Sequence, residues 1–94
     1  MKDFMKEAMK LQSKLLEQLK AIKVEGSAGG GMVRIEMDGE HNVTSIKIEP
    51  QVLEGKDIAM LEDLVLAAFN DARKKVLEKT QESFQSMTGF PMPG

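Results

Sequence analysis

The sequence predicts a single small α+β domain built from a helix, a three-stranded antiparallel sheet and a second, longer helix. Three observations carry this. Apolar residues recur at helical spacing over residues 3–21, they alternate with polar ones over residues 32–38 and 43–49, and helical spacing returns beyond Pro50. A chain of 94 residues is about one domain. At that size only about 60–68% of the unfolded surface can be buried, so self-association is a ready source of extra stability.

The first helix is written in Leu, Met, Lys, Glu and Gln, with neither Gly nor Pro over residues 3–21. Phe4, Ala8, Leu11 and Leu15 form an apolar stripe, which Met5, Met9, Leu16 and Leu19 widen. The opposite side is charged and polar.

The period then shortens. Val33, Ile35 and Met37 alternate with Arg34, Glu36 and Asp38, which assigns the two sets to opposite faces of a strand. Residues 38–42 read as a turn by composition. Residues 43–49 alternate again, with Thr44, Ile46 and Ile48 on one side. Residues 24–28 are expected to pair back through Gly29, Gly30 and Gly31, completing a meander that Pro50 ends because it cannot donate to the ladder.

The second helix is expected to start at an Asp57 N-cap and run to about residue 86. Acids crowd its first half and bases its second, as the helix dipole favours. Leu61, Leu64, Val65, Leu66, Ala67, Ala68 and Phe69 go nearly all the way round it. A helix apolar on every side is covered on every side, and one three-stranded sheet cannot do that. The expectation is a second subunit, with Leu61, Leu64, Val65, Leu66, Ala68 and Phe69 at the interface. The domain is read as residues 1–88, followed by a flexible Gly/Pro tail at 89–94.

Composition excludes several classes of function. Without cysteine there is no disulfide, thiolate metal site or Cys nucleophile. The eight methionines, with no Trp or Tyr, leave the packing to adaptable aliphatic side chains. The first residues are charged and no run is long enough to cross a membrane, so a cytoplasmic protein with no membrane partner is expected. Net charge is −2, which is unfavourable for a nucleic-acid binder, but the charge is segregated. Residues 1–23 carry +3, residues 24–55 carry −4, residues 56–72 carry −3 and residues 73–82 carry +2. Both positive segments fall on the expected helices.

Two blocks of residues resemble a known family. Val24-Glu25-Gly26-Ser27-Ala28-Gly29-Gly30-Gly31, with Met32-Val33-Arg34-Ile35 and Ile48-Glu49-Pro50 after it, resembles the central block of the YbaB/EbfC family of bacterial nucleoid-associated proteins. Leu61-Glu62-Asp63-Leu64-Val65-Leu66-Ala67-Ala68-Phe69-Asn70-Asp71-Ala72 is similar to that family's second-helix signature. Glu49 stands where the family usually has Asp before the proline. The resemblance spans essentially the whole chain. It implies a tweezer-like homodimer that binds duplex DNA with little sequence preference, in the nucleoid and near replication and recombination proteins.

Lys2, Lys6, Lys10 and Lys14, spaced by four, form a drifting stripe along the first helix that could follow a phosphate backbone. The plainer reading is a solvated face, since Asp3, Glu7 and Glu17 lie among the lysines. Arg73, Lys74, Lys75 and Lys79 are the densest basic cluster, which favourable charge toward a helix C-terminus would also explain. The resemblance tips these residues toward DNA contact. Nothing accompanies them that reads base edges, so sequence-specific recognition is not indicated. The glycine run lacks the Lys-Ser/Thr of a phosphate-binding loop and joins two strands, which makes it a hairpin turn. His41 alone makes no metal site, the carboxylates carry no sign of raised pKa, and no nucleophile with its base is legible. No enzyme activity, cofactor or metal is expected.

The DNA-contact set is therefore Lys6, Lys10, Lys14, Arg73, Lys74, Lys75 and Lys79, on a homodimer that binds double-stranded DNA mainly through phosphates. The alternative is a dimeric adaptor associated with replication and recombination proteins that does not touch DNA. The net acidity and the adaptable methionines would suit such an adaptor.

Overall fold

The computed structural model describes residues 2–88. Helix α1 spans Lys2–Ala21, strands β1 (Lys23–Ala28), β2 (Val33–Asp38) and β3 (Val43–Ile48) follow, then one helical turn α2 (Gln51–Glu54) and the long helix α3 (Ile58–Thr88). The sheet is antiparallel in the order β1-β2-β3. The α+β class and the succession of helix, meander and long helix are as the sequence predicts. The expected tail at residues 89–94 lies outside the described residues.

Val33, Ile35 and Met37 on β2 are fully buried under α3, which packs across β1 and β2 and contributes Ala68, Ala72 and Val76 to the core. Each β2 side chain of this kind stabilises the fold by about 2 kcal/mol through burial. The helix sits close because Gly26 faces it. A Cβ at that position would overlap the backbone at Ala68 O and Ala72 N. The glycine and the two alanines together bring helix backbone against strand backbone.

Asp57 caps α3 as expected: Met60 N donates to Asp57 Oδ1 at 3.0 Å, and Leu61 N to Asp57 O at 3.2 Å. At the β2–β3 turn, Asp38 Oδ1 accepts from Glu40 N at 2.8 Å and Asn42 N at 3.0 Å, closing a loop in which His41 adopts φ 66°. The glycine hairpin takes three successive positive φ values, 64°, 68° and 92° at Gly29, Gly30 and Gly31.

Three features differ from expectation. Residues 51–54 form a turn of helix after Pro50, and it buries Val52. Proline ends the strand but suits a helix start, where no N–H is needed. In β3 a bulge opposite Glu36 and Met37 shifts the register, so Val43 pairs with Met37, Ile46 with Ile35 and Ile48 with Val33, while Thr44 is the extra residue. The apolar face of β3 is therefore Val43, Ile46 and Ile48.

The third difference is that α1 does not pack its stripe. Phe4, Met5, Met9, Leu11 and Leu16 are all exposed, Phe4 by 77%. Only the last turns engage the body: Leu15 and Leu19 are half-buried, Ile22 is buried, and Gly39 N donates to Leu19 O at 2.9 Å. The radius of gyration is 18.0 Å, against about 12 Å for a compact domain of this length. The chain exposes 7254 Å², where a compact monomer of 10.4 kDa exposes about 5,400 Å². No helix among the described residues is long and apolar enough to cross a membrane.

Candidate nucleic-acid interface

The basic side chains are sorted by what they already bind. On the outer face of the sheet, Glu25 lies opposite Glu36 and Arg34 opposite Lys47, two like-charge cross-strand pairs. Lys23 Nζ at 4.0 Å from Glu36 Oε1 and Arg34 Nη2 at 3.4 Å from Glu49 Oε1 offset them. The sheet face thus carries mixed charge largely paired within itself.

The helices differ from it. Lys6, Lys10 and Lys14 are exposed on α1, on the side away from its apolar stripe, and form none of the ion pairs among the described residues. On α3, Arg73 and Lys74 are exposed and likewise unpaired among the described residues. Lys79 is exposed, with its Nζ 3.7 Å from Glu82 Oε2.

Lys75 is fastened. Its Nζ lies 3.0 Å from Asp71 Oδ2 and donates to Glu25 O at 3.0 Å, while Ser27 N donates to the same Asp71 Oδ2 at 3.0 Å. Both backbone partners sit on β1, the edge strand beneath α3. The Ser27 N–H and the Lys75 ammonium together hold the Asp71 carboxyl below the usual carboxylate range.

The structure does not gather the expected DNA-contact residues into one patch. Arg73, Lys74 and Lys75 are consecutive, so the 100° step of a helix points them three ways. The end of α1 and the C-terminal half of α3 do face each other across a cleft. There Gln18, Lys23, Lys79, Glu82 and Ser83 line an open cleft of about 590 Å³ with Ala21 and Ile22. Lys23 counts toward the positive charge of residues 1–23 but is not in the expected DNA-contact set, because it stands at the start of a strand, beyond the helical stripe of Lys2, Lys6, Lys10 and Lys14.

The expected interface residues divide. Ala68 is buried in the core, and Leu61, Leu64 and Val65 pack partly against it. Leu66 and Phe69 remain 60% and 36% exposed. With Leu61, Glu62 and Val65 they line an apolar groove of about 470 Å³. Helix α3 covers β1 and β2, and Ile46 on β3 is left 52% exposed on the same face of the sheet.

This architecture and sequence match a known group throughout. The model of the YbaB/EbfC DNA-binding family matches residues 1–91. The chain belongs to that family.

Similar YbaB/EbfC relatives are called nucleoid-associated proteins. One from Legionella pneumophila (strain Corby) is 45% identical over 95 residues, covering 97% of this chain and 84% of its own. Another, from Afipia carboxidovorans, is 43% identical over 94 residues, covering 96% and 90%. The crystal structure of an uncharacterized protein from Helicobacter pylori superposes with a TM-score of 0.74 at 26% identity, over 92% of this chain and 90% of that one. The YbaB/EbfC assignment and the helix–meander–helix fold therefore agree.

Proposed function

We propose that this YbaB/EbfC protein is a cytoplasmic, nucleoid-associated homodimer that binds duplex DNA through phosphate contacts, with little sequence preference and no catalytic role. The observation that carries the DNA reading is the exposure of cations that are unpaired among the described residues, Lys6, Lys10 and Lys14 on α1 and Arg73 and Lys74 on α3. Lys79 joins them through a long, exposed ion pair that a phosphate can displace. Lys75 adds its charge to the field while its ammonium stays on β1. These side chains attract phosphate without a base-reading set around them, so affinity should come from counterion release.

Homodimerisation is supported by the uncovered apolar surface. The groove at Leu66 and Phe69, the bare face of Ile46 and Ile48, and the α1 stripe all lack a partner among the described residues. The surface in excess of a compact monomer is on the order of 1,800 Å², larger than the roughly 800 Å² per partner of a standard interface.

The test is fluorescence anisotropy of a labelled duplex of about 30 base pairs across a salt series, with wild type and an Arg73→Gln/Lys74→Gln variant. Binding with a steep salt slope, reduced in the variant, supports the reading. A folded dimer that binds no duplex at low salt overturns it. The second reading, an adaptor for replication and recombination proteins, then gains. It is favoured by exposed Met5 and Met9 on the α1 stripe.

A further inference from the structure

We infer that the cleft between the end of α1 and the C-terminal half of α3 seats one backbone phosphate of duplex DNA, with Lys23 and Lys79 as its cations. Glu82 acts there as a built-in competitor for Lys79. The inference rests on the DNA-binding reading and extends it to Gln18, Lys23 and Ser83, which are outside the expected DNA-contact set.

Three elements supply the cleft. Gln18 comes from the last turns of α1, Lys23 is the first residue of β1, and Lys79 and Ser83 stand one turn apart on a single face of α3. The residues that line it carry two ammonium groups, a side-chain amide and a hydroxyl, the donor set that phosphodiester oxygens take, and none of them selects a base. The apolar groove at Leu66 and Phe69 has no cation in its lining, so the cleft at the α1 end differs from it in chemistry. Its volume of about 590 Å³ and its open mouth admit a phosphate still attached to a duplex.

Both lysines are only loosely engaged. Lys23 Nζ lies 4.0 Å from Glu36 Oε1, and Lys79 Nζ lies 3.7 Å from Glu82 Oε2, with every side chain of the two pairs more than a third exposed. Pairs of that length and exposure are weak, so an arriving phosphate exchanges for the carboxylate. Glu82 itself lines the cleft. Its negative charge therefore opposes the ligand while occupying one of the two cations, and removing that charge should tighten binding.

The test uses the full chain and the same labelled duplex over a salt series. Lys23→Gln is expected to weaken binding several-fold and to lower the slope of log affinity against log salt by about 0.9, the value for one phosphate. Lys56→Gln, the same charge change in the connection between α2 and α3, serves as the control for net charge. Glu82→Gln is expected to bind several-fold tighter than wild type at low salt. The cleft is overturned, with the DNA reading left standing, if Lys23→Gln weakens binding no more than Lys56→Gln. It is also overturned if Glu82→Gln tightens binding no more than Glu36→Gln, a carboxylate removed outside the cleft. A wild-type protein that binds no duplex overturns the DNA reading itself, and the cleft with it.

Discussion

Asp71 Oδ2 and Lys75 Nζ lie 3.0 Å apart across one turn of α3, and each also binds the backbone of β1. Asp71 accepts from Ser27 N and Lys75 donates to Glu25 O, so one ion pair takes up two backbone groups of an edge strand. An edge strand left bare is a template for unwanted pairing, and this latch blocks it on β1. It also gives Lys75 a role different from that of Arg73 and Lys74 beside it.

Lys75→Gln is expected to cost about 1 kcal/mol in urea denaturation, since the pair is partly exposed and only one charged hydrogen bond is lost. Its DNA affinity should fall less than that of Arg73→Gln/Lys74→Gln, which in turn should leave stability within about 0.5 kcal/mol of wild type. The reverse ranking would remove Lys75 from the latch.

Acid should loosen the same contacts. The Ser27 N–H and Lys75 lower the pKa of Asp71 from its ordinary 3.8, and the Asn42 N–H leads the groups that lower that of Asp38. Both carboxyls bind protons more weakly folded than unfolded. Their contribution is therefore fully present above the unfolded value and is lost as pH falls through the lower folded one. The urea midpoint is expected to drop below about pH 4, and less steeply in Asp71→Asn, whose side chain keeps an acceptor for Ser27. An unchanged acid limb in that variant would show that Asp71 carries no such linkage.

Gly26→Ala is expected to destabilise the fold by about 3 kcal/mol, at the upper end for overpacking. The new methyl group meets backbone at Ala68 and Ala72, which cannot turn aside as a side chain would. Gly30→Ala is a useful comparison, because its Cβ has open space and only its φ of 68° is unfavourable. Calorimetry or denaturant melts giving Gly26→Ala the smaller loss would contradict the close packing of α3 on β1.

Leu66→Glu and Phe69→Glu should convert a dimer to monomer in sedimentation equilibrium, since each places a charge in the groove on the uncovered flank of α3. Both side chains lie largely outside the core of one chain, so helix content is expected to survive. A wild-type protein that sediments as a monomer at every concentration would remove the second subunit from the proposal.

Much of the fold was legible because its signals are local. The alternation of Val33, Ile35 and Met37 specifies a buried strand face, and Asp57 ahead of a helical run specifies a cap, each through geometry spanning a few residues. Thr44 was misassigned because a bulge depends on the partner strand, where Glu36 and Met37 set the register. The turn at residues 51–54 was missed because Pro50 carries two meanings, a strand's end and a helix's start. For the candidate interface, sequence separated the basic stretches but not the free cations from the fastened ones.

By itself the sequence determined the order of elements, the apolar faces of β2 and of the two helices, and that two helices carry the positive charge. Period and composition suffice for these, since they act within one element. Only the tertiary structure decided what occupies each face. It joined Lys75 to Glu25, 50 positions away, and Asp71 to Ser27, 44 away. It put Lys23 and Lys79 on the lining of one cleft, and among the described residues it left the α1 stripe and Ile46 of β3 uncovered. Such contacts depend on how close two backbones can come, and here that distance is set by Gly26 against Ala72 and by Gly39 against Leu19.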